Sequence, residues 1–272
     1  MDEYSYDIKF KDLKTNPLKF TDIYIKDDQI FINFIIEYCK NNNIIAEFAK
    51  LDPWAANASV ISEVLGAEFY GYFYCNDLTE NFYEKAYNRR SKRAIKKAID
   101  ANVSVKFDFD GVTIPKFLEL YQNTVDKFQV SAYYKFTAEE LEEYFEVFKG
   151  VCFFSNAVKD GEIITSVLSV MSEDIVHYLY LGSNPEFAHC QANSLLTYQT
   201  SLLGKQYGRK LIDMGGGKKG GNIEQFKLNF VAENGVIPYY AIKKIHNQTI
   251  YDTMVQKAGA IINPVFFPLY RG

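Results

Sequence analysis

The order of strand, turn and helix signals over residues 151–230 constrains the fold of this chain more than any single motif does. Residues 151–158 and 163–170 are rich in strand-forming side chains and flank Asp160-Gly161, a strong signal for a hairpin turn. A second polar turn leads into a strand over 175–181. The pattern therefore predicts three antiparallel strands without a crossover. A helix over 191–207, a strand over 209–214, a glycine cluster and a helix over 223–230 follow.

The composition is that of a folded globular protein. Of the 272 residues, 48% are apolar, which is enough to bury a sizeable core. The net charge of −4 provides no whole-protein field that favours DNA or RNA. The four cysteines are far apart in apolar patterns, so we interpret them as reduced core thiols and expect no metal. Because we find no signal-peptide pattern and no run as long as a membrane span, we expect a cytoplasmic protein without membrane insertion.

The chain before residue 102 predicts two further parts. Residues 1–82 suit a small α/β module, with strands over 20–26, 44–51 and 68–75 and helices from Asp27 or Asp28 and over 60–65. Residues 83–101 carry seven lysines and arginines around an apolar stripe, which predicts one amphipathic helix. Its basic face is either an ordinary solvated surface or a phosphate-facing surface at a domain junction. We expect domain boundaries at 1–82, 83–101 and 102–272.

The third part begins and ends with further regular elements. Pro115 fits the first turn of a helix, and Thr137 with Glu140 forms a capping-box pattern at the start of the next helix. After residue 230, the pattern predicts a strand over 236–242 and a helix over 250–258.

Three segments together resemble FemAB-like proteins of the GNAT acyltransferase superfamily. They are Asn88-Arg89-Arg90-Ser91-Lys92-Arg93-Ala94-Ile95-Lys96-Lys97-Ala98; Tyr178-Leu179-Tyr180-Leu181-Gly182-Ser183 with Ala192-Asn193-Ser194-Leu195-Leu196; and Asp213-Met214-Gly215-Gly216-Gly217 with Gln225-Phe226-Lys227-Leu228-Asn229-Phe230. Their order and spacing match over residues 83–230. The resemblance implies an α/β (α+β) fold of two GNAT-like modules, with mixed, mostly antiparallel sheets flanked by helices. The first module would be reduced, and the second would carry the donor site.

The resemblance also implies transfer of an acyl group to an amine, with acyl-CoA as co-substrate. In GNAT folds the thioester lies where the third antiparallel strand leaves its neighbour. We therefore predict donor binding by Leu179, Leu181, Gly182, Ser183, Gln191, Ala192, Asn193 and Ser194. One departure is that residues 183–193 contain no glycine, unlike the usual pyrophosphate loop. A helix that starts at 191–194 would still offer backbone N–H donors to a pyrophosphate.

A proton must leave the attacking amine. His177 and Asp213 are our catalytic candidates, because His177 lies on the donor strand and Asp213 precedes the glycines. Glu224 is a further possibility, and water is another. Both candidates also have ordinary interpretations, His177 as a strand histidine and Asp213 as a carboxylate that accepts from loop N–H groups.

The glycine cluster and its neighbours are our candidates for acceptor binding. The predicted residues are Tyr133, Tyr134, Gly215, Gly216, Gly217, Lys218, Lys227 and Arg90. Glycines let a backbone approach a ligand closely, and Lys218 and Lys219 are available as cations. For Lys227, the resemblance implies a contact to a phosphate or carboxylate of the substrate. The spacing Gly215-x-Gly217-x-x-Gly220 also fits a dinucleotide fingerprint, but it follows hairpins instead of opening a parallel βαβ unit. The glycines could equally form a flexible turn, Lys227 an exposed lysine over Phe226, and the tyrosines part of a core.

Three functions remain open at this stage. The first is acyl-CoA-dependent N-acylation of a nucleotide-linked amino sugar for surface polysaccharides, with these two molecules as the partners. The second is an aminoacyl-tRNA-dependent transferase of peptidoglycan bridge formation, in which tRNA is the partner. The third is a binding module that has kept the fold without catalysis and still binds a nucleotide sugar. The sequence leaves the oligomeric state undetermined.

Overall fold

The computed structural model describes residues 28–54, 66–128, 135–217, 219–259 and 266–271, with side chains from residue 33 onward. The predicted strand at 20–26 and the predicted helix at 60–65 lie outside these ranges. Contacts divide the chain into two compact units: unit 1 holds residues 1–70 and 238–272, and unit 2 holds 71–237. No helix in the described ranges is both apolar and long enough to cross a membrane.

The described elements follow one another in chain order. The helices are α1 (Asp28–Asn41), α2 (Phe82–Lys85), α3 (Arg89–Asp100), α4 (Ile114–Phe128), α5 (Ala138–Val147), α6 (Ala192–Gln206), α7 (Asn222–Lys227) and α8 (Gln248–Ala258). The strands are β1 (Ala46–Lys50), β2 (Glu68–Asp77), β3 (Ser104–Asp108), β4 (Cys152–Lys159), β5 (Glu162–Met171), β6 (Ile175–Ser183), β7 (Leu211–Gly216) and β8 (Val236–Ile245). Short 3-10 helices cover Pro185–Cys190, Glu233–Gly235 and Leu269–Arg271.

Unit 2 is built on strands in the order β2-β7-β6-β5-β4-β3. The predicted run of antiparallel strands is confirmed, because β3, β4, β5 and β6 pair antiparallel in sequence order. Strand β7 then pairs parallel with β6 and antiparallel with β2. The predicted fold class, an α/β fold with a mostly antiparallel sheet flanked by helices, is therefore confirmed.

Two clusters of buried apolar side chains occupy the two faces of this sheet. Phe153 belongs to one cluster and Phe154 to the other, because successive side chains of a strand point to opposite faces. Helices α3 and α6 contribute to the first cluster, for example through Ile95 and Leu195. Helices α4 and α5 contribute to the second. The predicted capping box of α5 is present, with Thr137 and Glu140 bonding to each other's backbone N–H.

The predicted helix over 83–101 is wrong in one respect, because it is two helices, α2 and α3. Asn88 has an extended backbone, and its side chain accepts hydrogen bonds from the N–H groups of Arg90 and Ser91. An asparagine in this conformation starts a new helix instead of continuing the previous one. Basic and apolar periodicity alone did not reveal this cap.

The contact-based units differ from the predicted domain boundaries. Residues 73–77 of β2 pair with β7 and thus belong to unit 2, although the sequence analysis assigned them to the first module. In unit 1, β8 pairs antiparallel with β1 along Ala46–Lys50, although the last third of the chain was assigned to the second module. Pairing between strands that are distant in sequence produced both differences.

Candidate active site

Strands β6 and β7 separate within unit 2. Their parallel ladder covers Ile175–His177 opposite Leu211–Asp213, and the last pair is His177 with Asp213. Strand β6 continues along β5 until Ser183 faces Thr165. A register shift places Tyr180 opposite Leu168 and Tyr178 opposite Ser169, so Leu179 is the bulged residue. Bulges bend a strand and interrupt its pairing, which explains the divergence of β6 from β7 at the predicted position.

Helix α4 fixes the diverging end of β6. Thr124 Oγ1 donates to the carbonyl of Leu181 at 3.0 Å, so this carbonyl points away from the β5 ladder. The N–H and C=O of one residue in an antiparallel strand point to the same side, so the N–H of Leu181 also points away from β5. Gly182 allows the helix to approach, because a Cβ at this position would lie 2.4 Å from the backbone N of Tyr121.

His177 and Asp213 meet at the point of divergence. His177 Nδ1 lies 3.3 Å from Asp213 Oδ2, and Asp213 is buried while His177 is partly exposed. The other carboxylate oxygen, Oδ1, accepts from the N–H of Gly215 at 2.7 Å. The two candidate catalytic residues are therefore in contact. Asp213 also has the loop contact that its ordinary interpretation required.

Lys227 reaches the same region from the end of α7. Its Nζ donates a hydrogen bond to the carbonyl oxygen of Gly216 and lies 5.9 Å from the centre of the Tyr74 ring. Burial lowers the pKa of Lys227 to about 8, while the negative charge of Asp213 opposes this shift. Lys227 is thus a partly buried amine that loses its proton at a lower pH than an exposed surface lysine does.

Glu224 holds the glycine segment in place. Its Oε1 accepts from the Tyr74 hydroxyl at 2.5 Å, and its Oε2 accepts from the N–H of Gly220. The hydrogen bond from Tyr74 is the largest cause that lowers the pKa of this carboxyl. Two donors to the ionised form make Glu224 a weak proton acceptor, so the structure favours an anchoring role over the role of base.

A cleft of about 230 Å³ opens beside the start of α6. Its lining consists of Arg90, Ser91, Ala94, Gln191, Ser194, Asn222, Gln225, Phe226, Asn229 and Phe230. Most of these side chains are polar, and they come from α3, α6, α7 and the adjoining loops. Gln191 has a left-handed backbone (φ 58°) and begins α6 without a side-chain cap. The N–H of Ser194 donates to the carbonyl of Gln191 at 3.0 Å, and a helix start without a side-chain cap can offer its other N–H groups to a ligand.

The cleft combines residues that the sequence analysis separated. Arg90 was predicted to bind the acceptor, yet it lines the cleft with Gln191 and Ser194, which were predicted to bind the donor. Of the other predicted donor residues, Ala192 packs into the core, and Asn193 is outside the lining of the cleft. Leu179 is exposed, whereas Leu181 and Ser183 are partly buried.

The predicted acceptor residues are brought together only in part. Gly215 (φ 72°) and Gly216 lie beside the ammonium group of Lys227, and Gly217 lies beside the backbone of Glu224. Tyr133, Tyr134 and Lys218 lie outside the described residues, so their role stays a prediction.

Sequence reasoning missed the amide side chains of the cleft. Asn222, Gln225 and Asn229 recur at intervals of three and four residues on and just after α7, which places them on one helix face. Asn229 Oδ1 also accepts from Asn88 Nδ2 at 2.9 Å and so connects this face to the start of α3. The spacing of the amides was the available signal.

Comparisons with known proteins agree with this fold. A family model described as an acetyltransferase (GNAT) domain matches residues 85–228. FemX has a similar structure, with a TM-score of 0.62 at 14% identity over 83% of this chain and 78% of FemX. L-PGS from Bacillus licheniformis is also similar, with a TM-score of 0.55 at 12% identity over 82% of this chain and 75% of L-PGS. A comparison with curated protein sequences found no match.

Proposed function

Because the chain belongs to the GNAT acetyltransferase family, we propose that it transfers an acyl group from acyl-CoA to the amine of a nucleotide-linked amino sugar. The observation that carries the proposal is the end of the β6–β7 ladder at His177 and Asp213. We place the thioester beyond this pair, where the described β6–β7 ladder ends. An acceptor amine can approach from the side of β7, so the acyl group passes directly from sulfur to nitrogen.

The cleft beside α6 suits the diphosphate of the donor. Arg90 supplies a positive charge, and the first N–H groups of α6 supply donors with the favourable end of the helix dipole. Gln191 and Ser194 add neutral hydrogen-bonding groups. In this proposal Arg90 binds the donor, whereas the sequence analysis predicted that it binds the acceptor.

The N–H of Leu181 is the proposed donor to the carbonyl oxygen of the thioester. As the amine attacks, this oxygen becomes negative, and a fixed N–H at its position stabilises the charge without reorganisation. The hydrogen bond from Thr124 to Leu181 and the close packing of α4 on Gly182 hold this part of β6 rigid.

His177 is the proposed proton acceptor. Its Nδ1 faces Asp213, so Nε2 is the nitrogen that takes a proton from the attacking amine. Asp213 orients the imidazole and stabilises its protonated form. As the C–S bond breaks, the CoA thiolate leaves and takes the proton from the protonated imidazole of His177, which returns to its neutral form.

The glycine segment and Lys227 are proposed to receive the nucleotide-linked acceptor. The backbone of Gly215 and Gly216 lies near the point where β6 and β7 diverge, and the Lys227 ammonium group lies beside it. A cation in this position attracts a phosphate group of the acceptor. With a pKa of about 8, Lys227 would lose its charge in mildly alkaline solution, so acceptor KM should rise above pH 8.

The donor site is tested by replacing Arg90. Arg90→Ala should raise the KM for acetyl-CoA about 10-fold, because one charged hydrogen bond to phosphate is lost, with little change in kcat. Arg93→Ala, an exposed arginine of the same helix, is the matched control and should leave KM unchanged. If both variants show the same KM as the wild type, the diphosphate does not bind in this cleft.

A second candidate function is aminoacyl transfer from tRNA. The observation in its favour is the basic face of α3, whose sequence carries six lysines and arginines. The fold similarity to FemX allows this reading but does not select it. Binding of aminoacyl-tRNA that weakens steeply with salt, without turnover of any acyl-CoA, would favour this candidate over the first.

A further inference from the structure

Three potential metal ligands converge in unit 1, and none of them belongs to the candidate active site. Cys39 lies in the last turns of α1, Glu47 in β1, and His246 directly after β8. One ligand atom from each residue, the Cys39 sulfur, a Glu47 oxygen and a His246 nitrogen, lies within 4.8 Å of the other two. His246 Nε2 and Glu47 Oε2 are 3.1 Å apart. We refer to these three residues as the Cys39 cluster.

Backbone hydrogen bonds determine the positions of all three ligands. The N–H of Ile44 donates to the carbonyl of Cys39 at 2.8 Å, which joins the end of α1 to the segment before β1. The N–H of His246 donates to the carbonyl of Ile45 at 2.8 Å, which extends the β1–β8 ladder by one position. Because Ile45 and Glu47 are two residues apart, their side chains share one face of the strand, and His246 joins them there.

Burial favours a bound cation over a solvated cluster. The His246 side chain is only 3% exposed, and Cys39 is buried. The Glu47 side chain is 27% exposed, so water can reach the cluster from one side. The Glu47 carboxylate and the Cys39 sulfur face the buried imidazole, so the three residues offer one ligand atom each to the same point. Lys244 lies opposite Glu47 in the ladder, and its positive charge opposes cation binding.

We propose that the Cys39 cluster binds one borderline transition-metal cation, with Zn²⁺ as its best representative, and leaves the fourth position to water. Thiolate, imidazole and carboxylate are the ligand types that zinc takes in proteins. Bonds of about 2.0–2.3 Å in a tetrahedron require neighbouring ligand atoms roughly 3.5 Å apart. The three ligand atoms lie within 4.8 Å of one another, so small side-chain movements would bring them into this arrangement. The 3.1 Å between His246 Nε2 and Glu47 Oε2 is already close to the required separation.

The described part of unit 1 buries few apolar side chains, so a metal cross-link would add to its stability. Among its described residues, the buried apolar side chains are Cys39, Ile45, Ala241, Ile242 and Tyr251, and both large apolar clusters belong to unit 2. Units with small cores commonly gain stability from a metal or a disulfide. A cation held by the Cys39 cluster would join α1 to β1 and to the end of β8. The sequence analysis expected no metal, because these three residues are not closely spaced along the chain.

The test is metal binding by the full chain after treatment with a chelator. We expect one Zn²⁺ per chain in equilibrium dialysis, and Co²⁺ in its place should give a thiolate-to-cobalt absorption band. Cys39→Ala should abolish the band and weaken Zn²⁺ binding more than about 100-fold, a greater loss than removal of an indirect contact causes. Cys152→Ala, a buried cysteine of β4, is the matched control and should retain the band and the affinity.

A second variant covers the case in which Cys39→Ala fails to fold. Glu47→Gln retains the shape of a partly exposed side chain, and it should weaken Zn²⁺ binding while Co²⁺ keeps its thiolate band. If the folded wild-type chain binds no Zn²⁺, or if Cys39→Ala and Glu47→Gln bind it as tightly as the wild type, the proposal is wrong. In that case the cluster is a histidine–glutamate hydrogen bond beside a buried thiol.

Discussion

The two units differ in how much of their apolar surface is buried. In unit 2, helices cover both faces of the sheet, and side chains such as Phe117, Phe153 and Phe154 are fully buried. In the described part of unit 1, large apolar side chains remain exposed, including Phe34, Phe48 and Phe69. The chemistry that we propose requires fixed positions within a fraction of an ångström. The well-packed unit is the one that carries the candidate active site, and the sparsely packed unit carries the candidate cross-link.

The largest expected effect compares a phenylalanine in each unit. Phe154→Ala should reduce the free energy of unfolding by about 3–5 kcal/mol, because the residue is 0% exposed and its removal leaves a cavity. Phe34→Ala, at a position that is 65% exposed, should change it by about 0.5 kcal/mol or less. Urea titration of both variants measures the contrast, and similar losses would show that the units are packed alike.

The next effect concerns catalysis. Asp213→Asn should lower kcat/KM for acetyl-CoA and an amine acceptor about 10²–10⁴-fold, because the imidazole of His177 loses its ionised partner. The asparagine retains an oxygen that can accept from the Gly215 N–H, so the loop should keep its conformation. The control is Asp252→Asn on the exposed side of α8 in unit 1. Equal activity of both variants would remove Asp213 from the site.

A smaller effect follows from the pKa of Lys227. Its ammonium is disfavoured in the folded protein, so the charge costs stability below about pH 8, the folded pKa. Between pH 8 and the ordinary value of about 10.4, the folded protein releases the proton while the unfolded chain keeps it, and stability rises with pH. Relative to Lys227→Met, the wild type should therefore gain about 1–2 kcal/mol over this interval, after allowance for partial exposure.

Thermal or urea unfolding at several pH values measures this difference. Lys257→Met replaces an exposed lysine of α8 in unit 1 and should show no such rise relative to the wild type. If the stability difference between wild type and Lys227→Met is independent of pH, Lys227 is not held in a desolvated position.

The smallest expected effect concerns one helix cap in each unit. Thr137→Ala removes the bond from the Glu140 N–H, and Asn247→Ala removes the bond from the Ile250 N–H. Each loss should cost about 1 kcal/mol. Hydrogen exchange should report the first loss throughout the core elements of unit 2. The second should appear mainly within α8, whose one buried side chain is Tyr251. Equally widespread effects would mean that the two units have equal internal cooperativity.

Regular elements of unit 2 were predictable wherever one periodicity dominated. Strands β4, β5 and β6 begin and end within two residues of the predicted positions, because apolar runs between tight turns leave few alternatives. The division at Asn88 was missed, because it depends on a side-chain cap inside a continuous basic and apolar pattern. Strand β3 was not predicted, and its short sequence becomes a strand by pairing with β4. Local patterns therefore determined most elements, and pairing partners determined the others.

In the candidate site, too, the sequence indicated some features and the tertiary structure decided the others. Local sequence singled out His177 and Asp213 by residue type and position and Arg90 by its basic segment, and the family resemblance singled out Lys227. Tertiary structure alone decided that His177 and Asp213 are in contact, that Arg90 faces the start of α6, and that Lys227 is desolvated. It also decided that Cys39, Glu47 and His246 meet. The physical reason is that contact, burial and pKa depend on neighbours from distant parts of the chain, whereas turns and periodicity depend on adjacent residues.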